Sequence, residues 1–345
     1  MKRALVVCPG RGSYERGSLG SLRGRSPDAQ AVIAAADRQR LTEGRIPVAE
    51  LDARPWRTAD HLAGENASLL TAAASLADLA DLDLGRYDVV GFCGNSMGWY
   101  TALAAAGALP LADALQLIDT LGAWQADNVL GGQVLYPVSG DDWRPDARLE
   151  AHVEAAIAGA RAAGHQAWWS IRLGGHAVLG ADDGGVKHLL ANLPKIDTGS
   201  RIFPLQLPLH SAFHTPLLAA TRDRARAALS DLGWRPPRVP LTDGRGYTFR
   251  PFSADPVSLR DYTLDHQVVE TFDLGAAVQS ALAHTAPDVV IALGPGNPLG
   301  GPLARILVGA GQFGIRTRAA FEARQAVDPV LLSFGLAPQR DRLVR

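Results

Sequence analysis

"VVGFCGNSMGWYTALAAAGAL", Val89 to Leu109, is the stretch on which the fold turns. It begins as an apolar run, passes through Gly94-Asn95-Ser96-Met97-Gly98, and continues as an alanine-rich segment with strong helical preference. A strand that enters a helix through Gly-x-Ser-x-Gly has two readings. In the first, the glycines supply positive φ and Ser96 caps the helix. In the second, Ser96 sits on a tight elbow that pushes its Oγ out of a sheet. The helix N-terminus then offers free N–H groups, such as that of Met97, to a developing oxyanion. Glycine is expected at 94 and 98 in that case, because side chains there would clash as the helix folds back on the strand. A motif this short needs a base elsewhere in the chain.

The surrounding sequence reads as a large α/β protein. The 345 residues are 47% hydrophobic and 20% charged, enough for a sizeable core. A net charge of −1 gives no general attraction to nucleic acid or to an anionic membrane, so neither is expected as a partner. Cys8 and Cys93, the two cysteines, each end an apolar run and read as core residues of a cytoplasmic protein. "RALVVC" (Arg3–Cys8), "YDVVGFCG" (Tyr87–Gly94) and "PDVVIALGPG" (Pro287–Gly296) are expected as buried strands. Helices are expected at 27–40, at 66–83 with Asn66 as N-cap, from Ser96, from Leu111 and near 274–284. From about Asn128 the order becomes β-α-β-β-α, with two strands joined at Gly174-Gly175. That order predicts a small ferredoxin-like subdomain at 128–201, inserted into a large parallel-sheet domain formed by 1–127 and 202–345. A further strand region is expected at 236–243.

Four segments, in order and spanning nearly the whole chain, resemble the malonyl-CoA:acyl-carrier-protein transacylase family, including the acyltransferase domains of polyketide synthases. "PGRGSY" (Pro9–Tyr14) is similar to its first turn, P-G-Q-G-S-Q. "GNSMGWYTALAAAGAL" is similar to its nucleophile segment, G-H-S-x-G-E-x-x-A-x-x-x-A-G-x-L. "SAFHTPLL" is similar to H-A-F-H-S-P-L-M, whose last histidine is the family's base, and "ALGPGNPLGGPL" to E-x-G-P-G-x-x-L. The resemblance implies an α/β-hydrolase-like large domain and a cleft with Ser96 at its floor. It implies ping-pong acyl transfer: Ser96, deprotonated by His214, takes an acyl group from acyl-CoA and passes it to the phosphopantetheine thiol of an acyl carrier protein. The backbone N–H groups of Met97 and Arg11 would form the oxyanion hole. A backbone carbonyl would orient the histidine, and the loosely matching position is Asp273. No cofactor beyond these substrates is implied, and a monomer is expected.

The chain also departs from the family pattern. Asn95 stands where the family has His, Trp99 where it has Glu, and Arg11 where it has Gln. Leu121 stands where malonyl-specific members carry the arginine that clamps the malonyl carboxylate, and leucine cannot make that contact. A neutral acyl group is therefore expected, with Leu121, Asn95, Trp99 and Phe213 lining its pocket. A carboxylate read by Arg172 or Arg11 is the competing expectation. The same residues also admit an acyl-thioester hydrolase on this fold, or a non-catalytic carrier-binding homologue. A dinucleotide-binding reading of "PGRGSYERGSLG" fails for want of the third glycine. None of the nine histidines has metal-ligand spacing; those at 152, 165, 176 and 188 read as surface or packing residues. The arginines of "RDRAR" (222–226) read as an exposed helix face able to meet an acidic carrier.

Overall fold

The computed structural model describes residues 1–127, 129–199 and 201–345, with backbone alone at 126 and 127. In chain order the elements that position the site begin with β1 (Lys2–Cys8), α1 (Pro27–Thr42), α2 (Gly64–Asp81), β2 (Tyr87–Gly94), α3 (Gly98–Ala105) and α4 (Leu111–Asp127). They continue with β3 (Gly132–Pro137), α5 (Ala147–Ala162), β4 (Ala167–Arg172), β5 (His176–Ala181) and α6 (Asp183–Asn192). The remainder are β6 (Leu205–Leu207), β7 (Leu241–Thr242), β8 (Thr248–Phe249), β9 (Phe272–Asp273), α7 (Leu274–Thr285), β10 (Val289–Ala292), α8 (Gly300–Gly309) and β11 (Leu331–Ser333).

The first sheet runs β8-β7-β2-β1-β10-β11, parallel throughout except for the β7–β8 pair. Ala4 to Cys8 are fully buried, because helices cover both faces of this central strand. The continuous apolar runs of β1, β2 and β10 follow from that double burial, and each buried Val or Leu contributes about 1.5–3 kcal/mol. The second sheet runs β9-β4-β5-β3-β6, with its four longer strands mutually antiparallel. Taken by chain order, those four strands lie as 2-3-1-4, the ferredoxin-like arrangement, and the fourth is Leu205–Leu207. β9 joins the outer edge in parallel with β4.

Two details of the expected elements change. α2 begins at Gly64 with Ala63 as its N-cap, so Asn66 lies inside the helix. Its amide is used in tertiary contacts instead: Nδ2 donates to the Asp60 carbonyl and Oδ1 accepts from Arg40. The region 236–243 contributes only the two-residue β7, since its prolines cannot donate to a ladder.

Candidate active site

Ser96 sits between the end of β2 and the start of α3 with φ of +54°, a left-handed conformation in a residue with a Cβ. The backbone holds it there. Asn95 N–H donates to Cys8 O at 2.9 Å, Gly98 N–H to Asn95 O at 2.8 Å, and Trp99 N–H to Ser96 O at 3.0 Å. A Cβ on Gly98 would lie 2.2 Å from Cys8 O, and one on Gly94 would lie 2.2 Å from the Gly98 carbonyl. The two glycines are thus required by close approach of β1, β2 and α3. The N–H groups of Met97 and Arg11 have no hydrogen-bond partner among the described residues.

Ser96 Oγ and His214 Nε2 are 2.8 Å apart. His214 Nδ1 lies 2.7 Å from the carbonyl oxygen of Gln267, which can only accept, so Nδ1 carries the proton and Nε2 is left as the acceptor. Burial lowers the His214 pKa to about 4; the Gln267 bond opposes this and nearby His266 adds to it. The imidazole is therefore neutral near pH 7, as a general base must be. Gln267 does more than accept. Its Nε2 donates to Ser96 O at 2.9 Å, and its Oε1 accepts from Tyr262 Oη at 2.8 Å. Tyr262 in turn accepts from Gly244 N–H at 2.8 Å. A π-helical turn at Tyr262–His266 precedes Gln267, of the kind that re-phases a helix by one residue at a functional position.

The histidine-orienting carbonyl is accordingly that of Gln267 and not Asp273. Asp273 caps α7, accepting from Ala276 N–H at 2.8 Å. A carbonyl carries no side-chain signature, so no motif in the sequence marked it.

Ser96 and His214 open onto a cavity of about 570 Å³. Tyr100, Ile118, Leu121 and Gln125 line it from α3 and α4; Leu135, Ile171, Val178, Leu207 and Phe213 line it from the second sheet and the loop before His214. Asn95, Phe213, Leu121 and Arg11 are thus brought to the cavity as expected positions. Trp99 is not. It is fully buried, donates Nε1–H to Thr263 Oγ1 at 3.0 Å, and meets the Tyr262 ring edge-on at 5.0 Å. Arg172 also lies outside: it is exposed and stacked 4.2 Å over the Trp169 ring, facing a smaller adjoining cavity. The residue of β4 that reaches the main cavity is its neighbour Ile171. His176 leaves the packing role expected of it and lines the cavity, as does Arg305, which no motif marked.

Arg11 is one of three buried arginines among the described residues. Arg25 is paired with Asp78 and Asp81, and Arg40 with Asp119. Arg11 instead donates to Gln125 Oε1 and, at 2.7 Å, to Leu209 O, with no carboxylate in reach among the described residues. Burial brings its pKa down to about 10, so it remains a cation.

No protein-family model and no curated protein matches the chain in sequence. Solved structures match it in three dimensions. A malonyl-CoA:acyl carrier protein transacylase from Xanthomonas oryzae pv. oryzae superposes with a TM-score of 0.74 at 20% identity, covering 100% of this chain and 99% of that one. An acyl-carrier-protein S-malonyltransferase from Burkholderia pseudomallei gives 0.74 at 22% identity, covering 99% of each chain. A malonyl transacylase in complex with a type II polyketide-synthase acyl-carrier protein gives 0.70 at 18% identity, covering 89% of this chain and 93% of that one. Over its whole described length, the chain has the fold of the malonyl-CoA:acyl-carrier-protein transacylases.

Proposed function

We propose that the protein is an acyl-CoA:acyl-carrier-protein S-acyltransferase working through an acyl-enzyme on Ser96. The observation that carries this reading is the 2.8 Å contact between Ser96 Oγ and the unprotonated nitrogen of His214. Nε2 takes the serine proton as Oγ attacks the thioester carbonyl. The oxyanion is held by the N–H groups of Met97 and Arg11, and collapse expels the CoA thiol, reprotonated by His214. The carrier's phosphopantetheine thiol then reverses the sequence on the Ser96 ester and leaves as acyl carrier protein. A phosphopantetheine-bearing carrier is the natural acceptor on a fold shared with proteins solved as S-malonyltransferases.

The acyl group in this reading is neutral. Leu121, Ile118, Leu135, Ile171 and Val178 make an apolar lining in which each buried methylene gains about 0.8 kcal/mol. Arg11 favours a second reading, a carboxylated acyl group, because its buried charge has no counter-ion among the described residues. Intact-protein mass spectrometry after incubation with a panel of acyl-CoAs tests both. A lasting adduct on Ser96, discharged by carrier protein, supports transfer. Rapid turnover without acceptor points to a hydrolase, and no adduct with any thioester defeats both enzymatic readings. A malonyl adduct that vanishes in Arg11→Gln, whose backbone N–H is retained, would select the carboxylated group.

A further inference from the structure

Among the described residues four buried side-chain polar atoms lack a partner, and three of them belong to residues of this one cavity: Asn95 Oδ1, Asn297 Oδ1 and Arg305 Nε. Buried polar atoms are almost always satisfied, so such a concentration marks a surface built to meet something else. Arg305 is the extreme case. It stands on α8, its stem laid against the turn between β4 and β5, where a Cβ on Gly175 would fall 2.4 Å from its Cδ. Its guanidinium makes no hydrogen bond and no ion pair among the described residues. It packs 5.4 Å from the centroid of the Trp143 ring, whose other cationic neighbour, Arg318, is answered by Glu322 at 2.8 Å. Glu150 and Asp273 share the adjoining cavity with Arg305 but pair with it nowhere.

The charges that act on Arg305 and on its neighbour His176 are cationic. Arg201 and His176 line the same cavity, and both Arg305 and Arg201 act on the His176 ring, whose pKa burial and these cations bring to about 4. Burial and Arg318 lower the pKa of Arg305 itself. A half-buried guanidinium with unused donors is costly unless an anion arrives to use them. The thioester substrates of the proposed reaction bring one. Their thiol arm contains two amides and ends in a phosphate. The apolar side chains named for the acyl group come from α4 and from β3, β4 and β5, whereas Arg305 comes from α8.

We infer that Arg305 binds the phosphate of the phosphopantetheine arm, with the unpartnered amide oxygens of Asn297 and Asn95 accepting from the arm's N–H groups. This assignment rests on the proposed acyl-transfer reading for the identity of the ligand. The shared chemistry is a phosphate ester, supplied either by the arm common to CoA and carrier protein or by the nucleotide end of CoA alone; the assignment is to the arm.

Equilibrium binding to the Ser96→Ala protein tests it without requiring turnover. Three probes are used: pantetheine, 4′-phosphopantetheine and CoA. Phosphopantetheine and CoA should both bind at least about tenfold more tightly than pantetheine, the effect of a charge-assisted contact to phosphate. Adding Arg305→Gln should erase that advantage while pantetheine is unaffected, and Arg305→Lys, which keeps the charge, should restore part of it. Equal binding of pantetheine and phosphopantetheine by the parent protein would overturn the assignment even if Arg305→Gln did not fold. A loss confined to CoA would overturn it too, moving the anion to the nucleotide. Absence of any acyl adduct on Ser96 would defeat the transferase reading and leave this binding comparison intact.

Discussion

Where β2 runs into α3, position is enforced by main chain: two glycines in van der Waals conflict with any substituent, and a serine held at positive φ by bonds to its neighbours. Where the turn between β4 and β5 meets α8, the polar groups are the ends of side chains, and Arg305 is held by packing alone. The contrast separates two tasks. Reacting atoms must be placed within a few tenths of an ångström before the substrate arrives, which backbone constraints do well. A surface proposed to receive an anion needs donors left free of protein partners more than it needs fixed ones.

The contrast can be broken at several places. Ser96→Ala should abolish acyl-enzyme formation altogether, read as loss of the adduct mass. His214→Ala should slow loading by about 10²–10⁴-fold, the usual worth of a general base. If His210→Ala, which removes the histidine four residues before His214 that also lines the cavity, proved as damaging and His214→Ala were silent, the 2.8 Å contact would not be the reactive one. Gly98→Ala should destabilise the fold by about 3 kcal/mol or more, since its Cβ would overlap Cys8 O and neither α3 nor β1 can retreat. A melting temperature unchanged from the parent would show that the elbow is less tightly built than its contacts indicate.

Smaller effects sharpen the comparison. Leu121→Arg should shift loading towards malonyl-CoA relative to a neutral acyl-CoA by about tenfold or more, as a charged pair replaces apolar wall. An unchanged ratio would remove Leu121 from acyl selection. The smallest effect is one of pH. With the His214 pKa lowered to about 4, its basic form is already complete above that range, so loading should rise with pH through about 4 and stay level from about pH 6 to 8. An inflection near the ordinary histidine value of about 6.5 in single-turnover loading would contradict a neutral buried imidazole.

Much of the turn that carries Ser96 was legible because its constraints are local. Gly94, Ser96 and Gly98 lie within one turn, and a glycine demanded by contact leaves its mark in the sequence whatever surrounds it. Trp99 misled for a reason of phase: one residue beyond Gly98, α3 turns that side chain into the core against Tyr262. Arg172 misled for a reason of parity. The ladder between β4 and β5 shifts register between Trp169 and Ile171, a bulge that changes which of two neighbouring side chains reaches the cavity. Ile171 gained that place and Arg172 lost it. Gln267 and Arg305 were silent because their roles arise only when distant segments meet: Gln267 is 53 residues from His214 and 171 from Ser96.

Gln267 has a mechanical consequence. Its carbonyl holds His214 and its side-chain amide holds the carbonyl of Ser96, so these two residues, 118 apart in sequence, are referred to one bracket. Motion of that bracket is common to both partners and cancels in the distance between them. The large sheet and the segment bearing His214 can therefore breathe while the separation of Oγ and Nε2 is conserved, much as a balanced line rejects noise that enters both of its wires.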